Sequence, residues 1–228
     1  MSLIARFIGV ITAPKDTFQA VVANPTWLGM LAVVTIIVAV FVSLPLTTEG
    51  GQQSQLDNQV RAIEGFGRPV DDQMYAAMQK GMRFAAVQTF FTILVAGPVM
   101  SVIIAGILFG VFTVIGGQAT FKQLFSVYVH STVITAAAQL FIGPLNYFRQ
   151  SMSSATNLGI LNLADEGSYL GKLLGMIDLF WIWWLVVLSI GLGVLYKRRT
   201  ASIAYGLFGV YAVGILLLAA VMSMFGRS

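Results

Sequence analysis

Five long apolar runs constrain this chain more than any other feature of its sequence. They cover residues 27–46, 84–115, 123–145, 173–196 and 202–225. Each run holds the roughly 20 residues that an α-helix needs to cross the hydrocarbon core of a bilayer. The runs therefore predict an all-α, polytopic membrane protein built as a bundle of five transmembrane helices, in a single domain that covers residues 1–228.

Composition agrees with this class and argues against several others. Hydrophobic residues make up 57% of the 228 residues and charged residues 10%, whereas about 25% of the residues in a soluble domain are charged. The net charge of +4 comes from cations at the ends of the apolar runs. No basic patch with interleaved aromatic residues is present, so we expect no nucleic-acid partner. The chain has no cysteine, which removes disulfides, thiolate metal sites and thiol catalysis.

The segment before the first run, residues 1–26, is too broken and too weakly apolar to span a membrane. Apolar residues recur along it at helical spacing: Leu3, Ile4, Phe7, Ile8 and Ile11. Arg6 lies off that stripe. The pattern predicts one or two short amphipathic helices lying in the membrane interface. The ordered regions of a signal peptide are not recognisable here, so we expect the segment to be retained.

A long polar segment, residues 47–83, separates the first two runs. Its first half is rich in Gly and Gln and predicts a flexible stretch. In its second half, Asp71 or Asp72 is placed to cap a helix in which methionine recurs every four residues from Met74 to Met82. Such a methionine stripe is more typical of packing than of a binding site.

Cations in short loops predict the orientation. With a cytoplasmic N-terminus, the inside-facing segments hold one acid, Asp16, and six cations: Arg6, Lys15, Lys122, Lys197, Arg198 and Arg199. The density of Lys and Arg in short loops decides orientation, and the triplet after the fourth run is the strongest single mark. We expect a multi-pass protein of the cytoplasmic membrane with its N-terminus in the cytoplasm and its C-terminus outside.

The second and third runs are joined by a short segment that starts with Gly116 and Gly117. A glycine pair can cradle phosphate, but only between a strand and a helix, and both flanks here are membrane helices. The pair therefore predicts a tight cytoplasmic turn. Thr120 is then placed to cap the third helix.

His130 is the only histidine and lies in the third run. An ionisable group inside a membrane span is a candidate functional residue. Because histidine titrates near neutral pH, His130 is either a proton-sensitive switch or a neutral side chain that hydrogen-bonds a nearby hydroxyl or carbonyl and helps helices to pack. Gln88 and Gln139 are the other polar candidates within the runs, with Thr89 beside the former.

Asp178 stands at the head of the stretch IDLFWIWWLVVLSIGLGVLYKRRTA. If the helix begins there, the carboxylate stabilises the positive end of the helix dipole and accepts free backbone N–H groups. If residues 173–176 already form helix within lipid, Asp178 is internal, must pair with another group, and becomes the leading functional candidate. Because the cations at residues 197–199 mark the inner end of this helix, we expect Trp181, Trp183 and Trp184 near the outer interface with their indole N–H groups on polar partners.

Catalytic sites in membranes need recognisable sets of residues: paired aspartates, a serine with a histidine, or a metal held by several ligands. Asp178 has no second carboxylate within the runs, and one imidazole cannot form a histidine-rich metal site or a bis-histidine haem site. We therefore predict a protein that is not an enzyme, with no catalytic residue, no cofactor and no metal. A site that joins His130 to Asp178 across two helices is the exception to look for.

Three stretches in order carry a resemblance to a known family: FIGVITAPKDTFQAVVANPTW, GGQATFKQLFSVYVHS and DLFWIWWLVVLSIGLGVLYKRRTA. Together with the five runs, they resemble the prokaryotic branch of the Yip family of Ypt/Rab-interacting membrane proteins. The resemblance covers essentially the whole chain. It implies a five-helix membrane domain with a cytoplasmic N-terminus and no known catalytic activity, and eukaryotic relatives act in vesicle traffic with Rab GTPases. The Asp-Leu-Tyr-Gly-Pro motif of that branch is not found in the first run, and no long N-terminal region precedes it, so we do not expect a Rab partner.

Two functions remain open at this point. The first is a non-catalytic interaction, scaffolding or membrane-organising protein, whose partners are the lipid bilayer and other membrane proteins or further copies of itself. The second is a small transporter or channel subunit with His130, Asp178, Gln88 and Gln139 as its polar lining. Coupled carriers usually hold several charged residues near the midplane together with broken helices or an internal repeat. The runs show no repeat and few charges, which favours the first function.

Overall fold

The computed structural model describes residues 1–165 and 167–225. Over these residues it is helical, and its only β-type pairing is one isolated antiparallel bridge between Asn157 and Asp178. The α-helices are α1 (Leu3–Thr12), α2 (Pro14–Ala23), α3 (Leu28–Ser43), α4 (Glu49–Gly65), α5 (Asp72–Met82), α6 (Ala85–Val114), α7 (Phe121–Ser131), α8 (Val133–Arg149), α9 (Tyr169–Met176), α10 (Leu179–Tyr196) and α11 (Thr200–Phe225).

Five helical stretches are long and apolar enough to cross a membrane, which confirms the predicted all-α polytopic fold. They are Leu28–Thr47, Ala85–Val114, Phe121–Arg149, Leu179–Tyr196 and Thr200–Met224. Two differ from the runs in the sequence. The third joins α7 and α8 and is interrupted at Thr132. The fourth begins at Leu179 instead of residue 173, because α9 is a separate helix that ends before Ile177, whose backbone is extended.

The chain forms two compact units. Unit 1 comprises Met1–Val38, Thr92–Ala138 and Phe180–Gly209, and unit 2 comprises Ala39–Phe91, Gln139–Leu179 and Val210–Ser228. Unit 1 therefore holds the N-terminal segment, α7 and the turns before α7 and α11. Unit 2 holds α4, α5, α9 and most of α8.

Helix α7 is the centre of unit 1. Residues 124–131 are all buried, including Ser126, His130 and Ser131, which have no exposed surface. Side chains from α2, α3 and α10 join α7 in one hydrophobic cluster, among them Phe18, Met30 and Leu192. Because buried polar groups normally have hydrogen-bond partners, each polar side chain on this fully buried helix is expected to have one.

The N-terminal segment forms two short helices. Ser2 caps α1 by accepting a hydrogen bond from the backbone N–H of Ala5, and Pro14 begins α2. Helix α1 is amphipathic, as its spacing predicts, but the side chains that it buries and exposes differ from those expected. Arg6 is buried, whereas Ile4 and Ile8 are 72% and 54% exposed.

Two turns of unit 1 lie next to each other. Gly116 adopts φ 83° and the N–H of Gly117 donates to the carbonyl of Phe112 at 2.7 Å, so α6 ends in the predicted tight turn. The guanidinium of Arg198, in the turn between α10 and α11, donates to the carbonyl of Ile115 at 2.8 Å. The second-to-third and fourth-to-fifth connections are thus on the same side of unit 1, as five successive spans require.

In unit 2, the segment predicted to be flexible is instead α4. The hydroxyl of Thr48 caps the helix by accepting from the N–H of Gly51, and Leu56 anchors it with 1% exposure. A Cβ atom at Gly51 would lie 2.0 Å from the carbonyl oxygen of Pro45, so this position requires glycine. Asp71 caps α5 by accepting from the N–H of Met74 at 2.7 Å, whereas no residue of α5 is fully buried.

Candidate functional site

The break in the third span occurs at Thr132, between α7 and α8. Two hydroxyls bond back to the helix just before it: Ser131 Oγ donates to the carbonyl of Tyr128 at 2.6 Å, and Thr132 Oγ1 to that of Val129 at 2.7 Å. Such side-chain bonds compete with the backbone ladder and bend helices. The sequence HST at residues 130–132 therefore explains the interruption locally.

His130 lies one residue before this pair of hydroxyls and has no exposed surface. Its Nδ1 is 2.7 Å from the backbone carbonyl oxygen of Ser126. A carbonyl oxygen only accepts, so Nδ1 carries the hydrogen and the neutral ring presents a lone pair at Nε2. Nε2 is buried and has no hydrogen-bond partner among the described residues.

Arg6 brings a cation into the same unit from α1. Its guanidinium donates to Thr26 Oγ1 at 2.6 Å and to the carbonyl of Asn24 at 3.4 Å, and α1 packs against α7. Its Nε is buried without a partner among the described residues, and so is Ser126 Oγ. We call Arg6, Ser126 and His130 the polar cluster.

The polar cluster offers three kinds of hydrogen-bonding atom. Arg6 Nε is a donor, His130 Nε2 is an acceptor in the neutral ring, and Ser126 Oγ is both. Buried polar atoms of this kind are commonly satisfied by internal water, which makes about three hydrogen bonds. The ionisable groups of the cluster are one cation and one histidine.

Trp184, on α10, contacts the residues at the break between α7 and α8. Its indole Nε1 donates to Ser131 Oγ at 3.2 Å, and its ring meets Tyr128 edge-on at 6.3 Å. The expectation that tryptophans of this stretch reach polar partners holds for Trp184. Ser131 therefore accepts from one helix while it donates within another, and it holds the break in place.

Asp178 lies in unit 2, directly before α10. Its carboxylate accepts hydrogen bonds from Thr156 Oγ1 at 2.5 Å and from Ser154 Oγ at 3.2 Å, and the backbone N–H of Leu179 donates to the carbonyl of Thr156 at 3.1 Å. Residues 173–176 are helical, but they belong to α9, which ends at Met176. Asp178 is therefore at a junction between two helices, where two hydroxyls of the preceding loop bind it.

The remaining candidates lie in unit 2. Gln88 is exposed on α6 and Gln139 is half-buried on α8. His130 thus belongs to unit 1, while Asp178, Gln88 and Gln139 belong to unit 2. Sequence reasoning did not single out Arg6 and Ser131 as site residues, and the available signal was weak: a lone cation in an amphipathic helix and a run of hydroxyls beside a histidine.

No group of three or more His, Asp or Glu side chains that could hold a metal occurs among residues 1–165 and 167–225. Two neutral hydroxyls, those of Ser154 and Thr156, donate hydrogen bonds to the carboxylate of Asp178. The polar cluster supplies one imidazole nitrogen and a guanidinium, which does not bind metals.

Comparison with known protein families identifies the family of the chain. The model described as the Yip1 domain matches residues 8–222. The chain belongs to the Yip1 domain family. This Yip1 domain protein is therefore a multi-pass membrane protein, and the predicted Yip family is confirmed. Comparisons with curated proteins and with solved structures gave no match.

The Yip1 domain match covers the third span and both sides of its break, including Ser126, His130 and Ser131. It also covers Asp178 and the fourth span. Arg6 precedes the matched residues, so the cation of the polar cluster comes from outside the part of this Yip1 domain protein that the family model covers.

Proposed function

We propose that this Yip1 domain protein is a non-catalytic interaction protein of the cytoplasmic membrane that organises lipid and other membrane proteins around it. Helix α1 packs Phe7, Val10 and Ile11 against the core. The proposal rests on its other side, which exposes Leu3, Ile4 and Ile8 although Arg6 is buried. That arrangement is unfavourable in water and favourable at a membrane interface.

The exposed side chains of α1 favour contact with an apolar environment. Leu3, Ile4 and Ile8 are 41%, 72% and 54% exposed, and burying such a side chain fully contributes about 1.5–3 kcal/mol. Arg6 holds the helix in this orientation through Thr26 and Asn24. The surface formed by Leu3, Ile4 and Ile8 is therefore fixed outward, where the acyl boundary of a bilayer or a membrane protein covers it.

Two spans extend this exposed surface. In α6 and α11 only 6% of the most apolar window is buried, and α6 exposes Val87, Phe91 and Val95 at four-residue spacing. Lipid covers such faces by default, and helices of other membrane proteins can replace it. Partner proteins and self-association are thus accommodated without any pocket or catalytic group.

The proposed orientation places the N-terminus in the cytoplasm and the C-terminus outside. The N-terminal segment, the first turn of α7 and the turn before α11 belong to unit 1, and they carry Lys15, Lys122 and the triplet at residues 197–199. This concentration of cations in short segments supports a cytoplasmic location for that side.

Photo-cross-linking in intact cells tests the interaction role. A photoreactive amino acid replaces Ile8 or Val95, which are exposed and apolar, and Asp16, which is exposed and polar, serves as the matched control position. Discrete protein adducts at Ile8 or Val95, absent at Asp16, are expected. Lipid adducts alone at both apolar positions would contradict an interaction role with proteins.

One observation favours transport as a second function. The third span is broken beside a buried His130 whose Nε2 has no described partner, and broken helices with polar groups at their ends line many transport sites. Purified protein in liposomes loaded with a pH-sensitive dye distinguishes the functions. Proton flux no faster than in protein-free liposomes agrees with the interaction role, whereas flux that disappears in His130→Ala would establish transport.

A further inference from the structure

Four cations line one open cavity of about 430 Å³ at the turn between α10 and α11. The cations are Lys15 from α2 and Lys197, Arg198 and Arg199 from the turn. Gln19 and Thr200 add polar groups to the wall, and no carboxylate lines the cavity among the described residues. We propose that this cavity binds a phosphate group, such as the headgroup phosphate of an anionic phospholipid.

The position of α2 is fixed by packing, and this packing places Lys15 beside the cations of the turn. Phe18 has no exposed surface and lies against Gly191, where a Cβ atom would come within 3.0 Å of its ring. Lys15 and Gln19 lie one turn apart on α2 and therefore share a face. Phe18 thus holds that face over the start of α11.

One cation of the turn has a left-handed backbone conformation, which is usually found at glycine. Lys197 adopts φ 52°, and the N–H of Arg198 donates to the carbonyl of Gly193 at 3.1 Å, which is the helix-ending arrangement that usually has glycine at the residue before the donor. A left-handed conformation is unfavourable for a lysine. Here a cation occupies the strained position and lines the cavity.

A general preference for cations on the cytoplasmic side explains the number of charges but not their arrangement. Lys15 is separated from the triplet by most of the chain, yet all four line one concave site. The hydrogen bond from Arg198 to Ile115 braces the turn and uses only part of its guanidinium, which has five N–H donors. The remaining donors match the oxygens of a phosphate.

The cavity also lies at the right level for a headgroup. It is at the end of α10, an 18-residue apolar helix whose length is close to the thickness of a hydrocarbon core. Basic pockets at the ends of membrane helices bind anionic lipid headgroups. The site goes beyond the proposed interaction role, because it uses α2 and the α10–α11 turn and does not depend on α1.

Native mass spectrometry of the purified protein with short-chain lipids tests the site. The probes are dihexanoyl phosphatidylglycerol, dihexanoyl phosphatidylcholine and inorganic phosphate. Wild-type protein should retain phosphatidylglycerol in preference to phosphatidylcholine. Lys197→Gly should bind phosphatidylglycerol about fivefold more weakly, the factor that corresponds to about 1 kcal/mol for one lysine at an anionic surface.

Lys197→Gly separates binding from folding, because glycine adopts the left-handed conformation without strain and the variant should melt at the wild-type temperature or above. Arg199→Gln is the second variant, with the same expected loss. Lys122→Gln, an exposed cation that does not line the cavity, is the matched control and should bind within twofold of wild type.

Competition identifies the source of the phosphate. Displacement of phosphatidylglycerol by inorganic phosphate would show that a free phosphate compound can occupy the same site, whereas binding of the lipid alone would assign it to a headgroup. Equal binding by wild type, Lys197→Gly and Arg199→Gln, or no preference for phosphatidylglycerol over phosphatidylcholine, would overturn the proposal.

Discussion

The ring of His130 donates a hydrogen bond of 2.7 Å from Nδ1 to the backbone carbonyl of Ser126, one turn earlier on α7. This bond fixes the tautomer and leaves Nε2 as a buried acceptor beside the break in the third span. The ring thus contributes in two separable ways, through the volume it fills and through its polar atoms.

Substitution at His130 distinguishes these contributions. His130→Ala removes both and should lower the free energy of unfolding by about 2–4 kcal/mol, as for other large buried side chains. His130→Leu keeps most of the volume and removes the unpartnered acceptor, so its cost should stay below about 1.5 kcal/mol. Denaturant unfolding in detergent measures both, with the exposed Gln88→Ala as reference. Equal losses for the two variants would mean that the polar atoms of the ring, and not its volume, stabilise the fold.

Close packing at Gly191 predicts a second result. A Cβ atom there would lie 2.6 Å from Val127 Cγ1 and 3.0 Å from Phe18 Cε1, so Gly191→Ala should destabilise the protein by about 1–3 kcal/mol through overpacking. Gly206→Ala is the control, because nothing lies within 4 Å of that position. Its melting temperature should be unchanged or higher, since alanine favours helices by about 1 kcal/mol over glycine. A neutral Gly191→Ala would contradict the described contact between α2, α7 and α10.

Detachment of the N-terminal helices is expected when Arg6 is replaced. Arg6→Met loses the charged hydrogen bonds to Thr26 and Asn24, each typically contributing about 1.5–3 kcal/mol, so α1 and α2 should open more often. Cleavage by a lysine-specific protease after Lys15 then becomes faster. The exposed Arg149→Met should leave that cleavage rate unchanged, and protection equal to wild type in Arg6→Met would show that α1 is held by other contacts.

The start of α7 depends on a capping box. Thr120 Oγ1 accepts from the N–H of Gln123 at 3.3 Å, and Gln123 Oε1 accepts from the N–H of Thr120 at 3.0 Å. Thr120→Ala should cost about 0.5–2 kcal/mol, and Thr120→Ser should restore most of it. Thermal unfolding in detergent compares them. If serine is no better than alanine, the hydroxyl does not stabilise α7.

The sequence predicted those features that depend on local chemistry. Hydropathy alone locates five spans, because each must satisfy its own backbone in lipid. The cap at Thr120, the cap at Asp71 and the glycine turn at Gly116 follow from side-chain and backbone preferences within four residues. The family is recognisable for the same reason, since its motifs are continuous stretches.

Features set by distant contacts were not predictable. Helix α4 has the composition of a flexible segment, and burial of Leu56 together with the fit of Gly51 against Pro45 stabilises it. The fourth span begins late because the loop residue Thr156 pairs with Leu179 and Asp178. Arg6 faces inward because it donates hydrogen bonds to Asn24 and Thr26. These partners are 18 and 20 residues away, so the spacing of residues within α1 does not predict them.

The exposed apolar residues of α1 are proposed to lie against lipid or a membrane protein, and a fluorescence measurement in liposomes shows whether they do. The natural chain has no cysteine, so Ile4→Cys, Ile8→Cys and Asp16→Cys each place one environment-sensitive fluorophore on the reconstituted protein. Blue-shifted emission that a lipid-attached quencher reduces at positions 4 and 8, with water-like emission at position 16, is the predicted result. Water-like, unquenched emission at positions 4 and 8 would show that α1 faces water and that this surface does not contact the membrane.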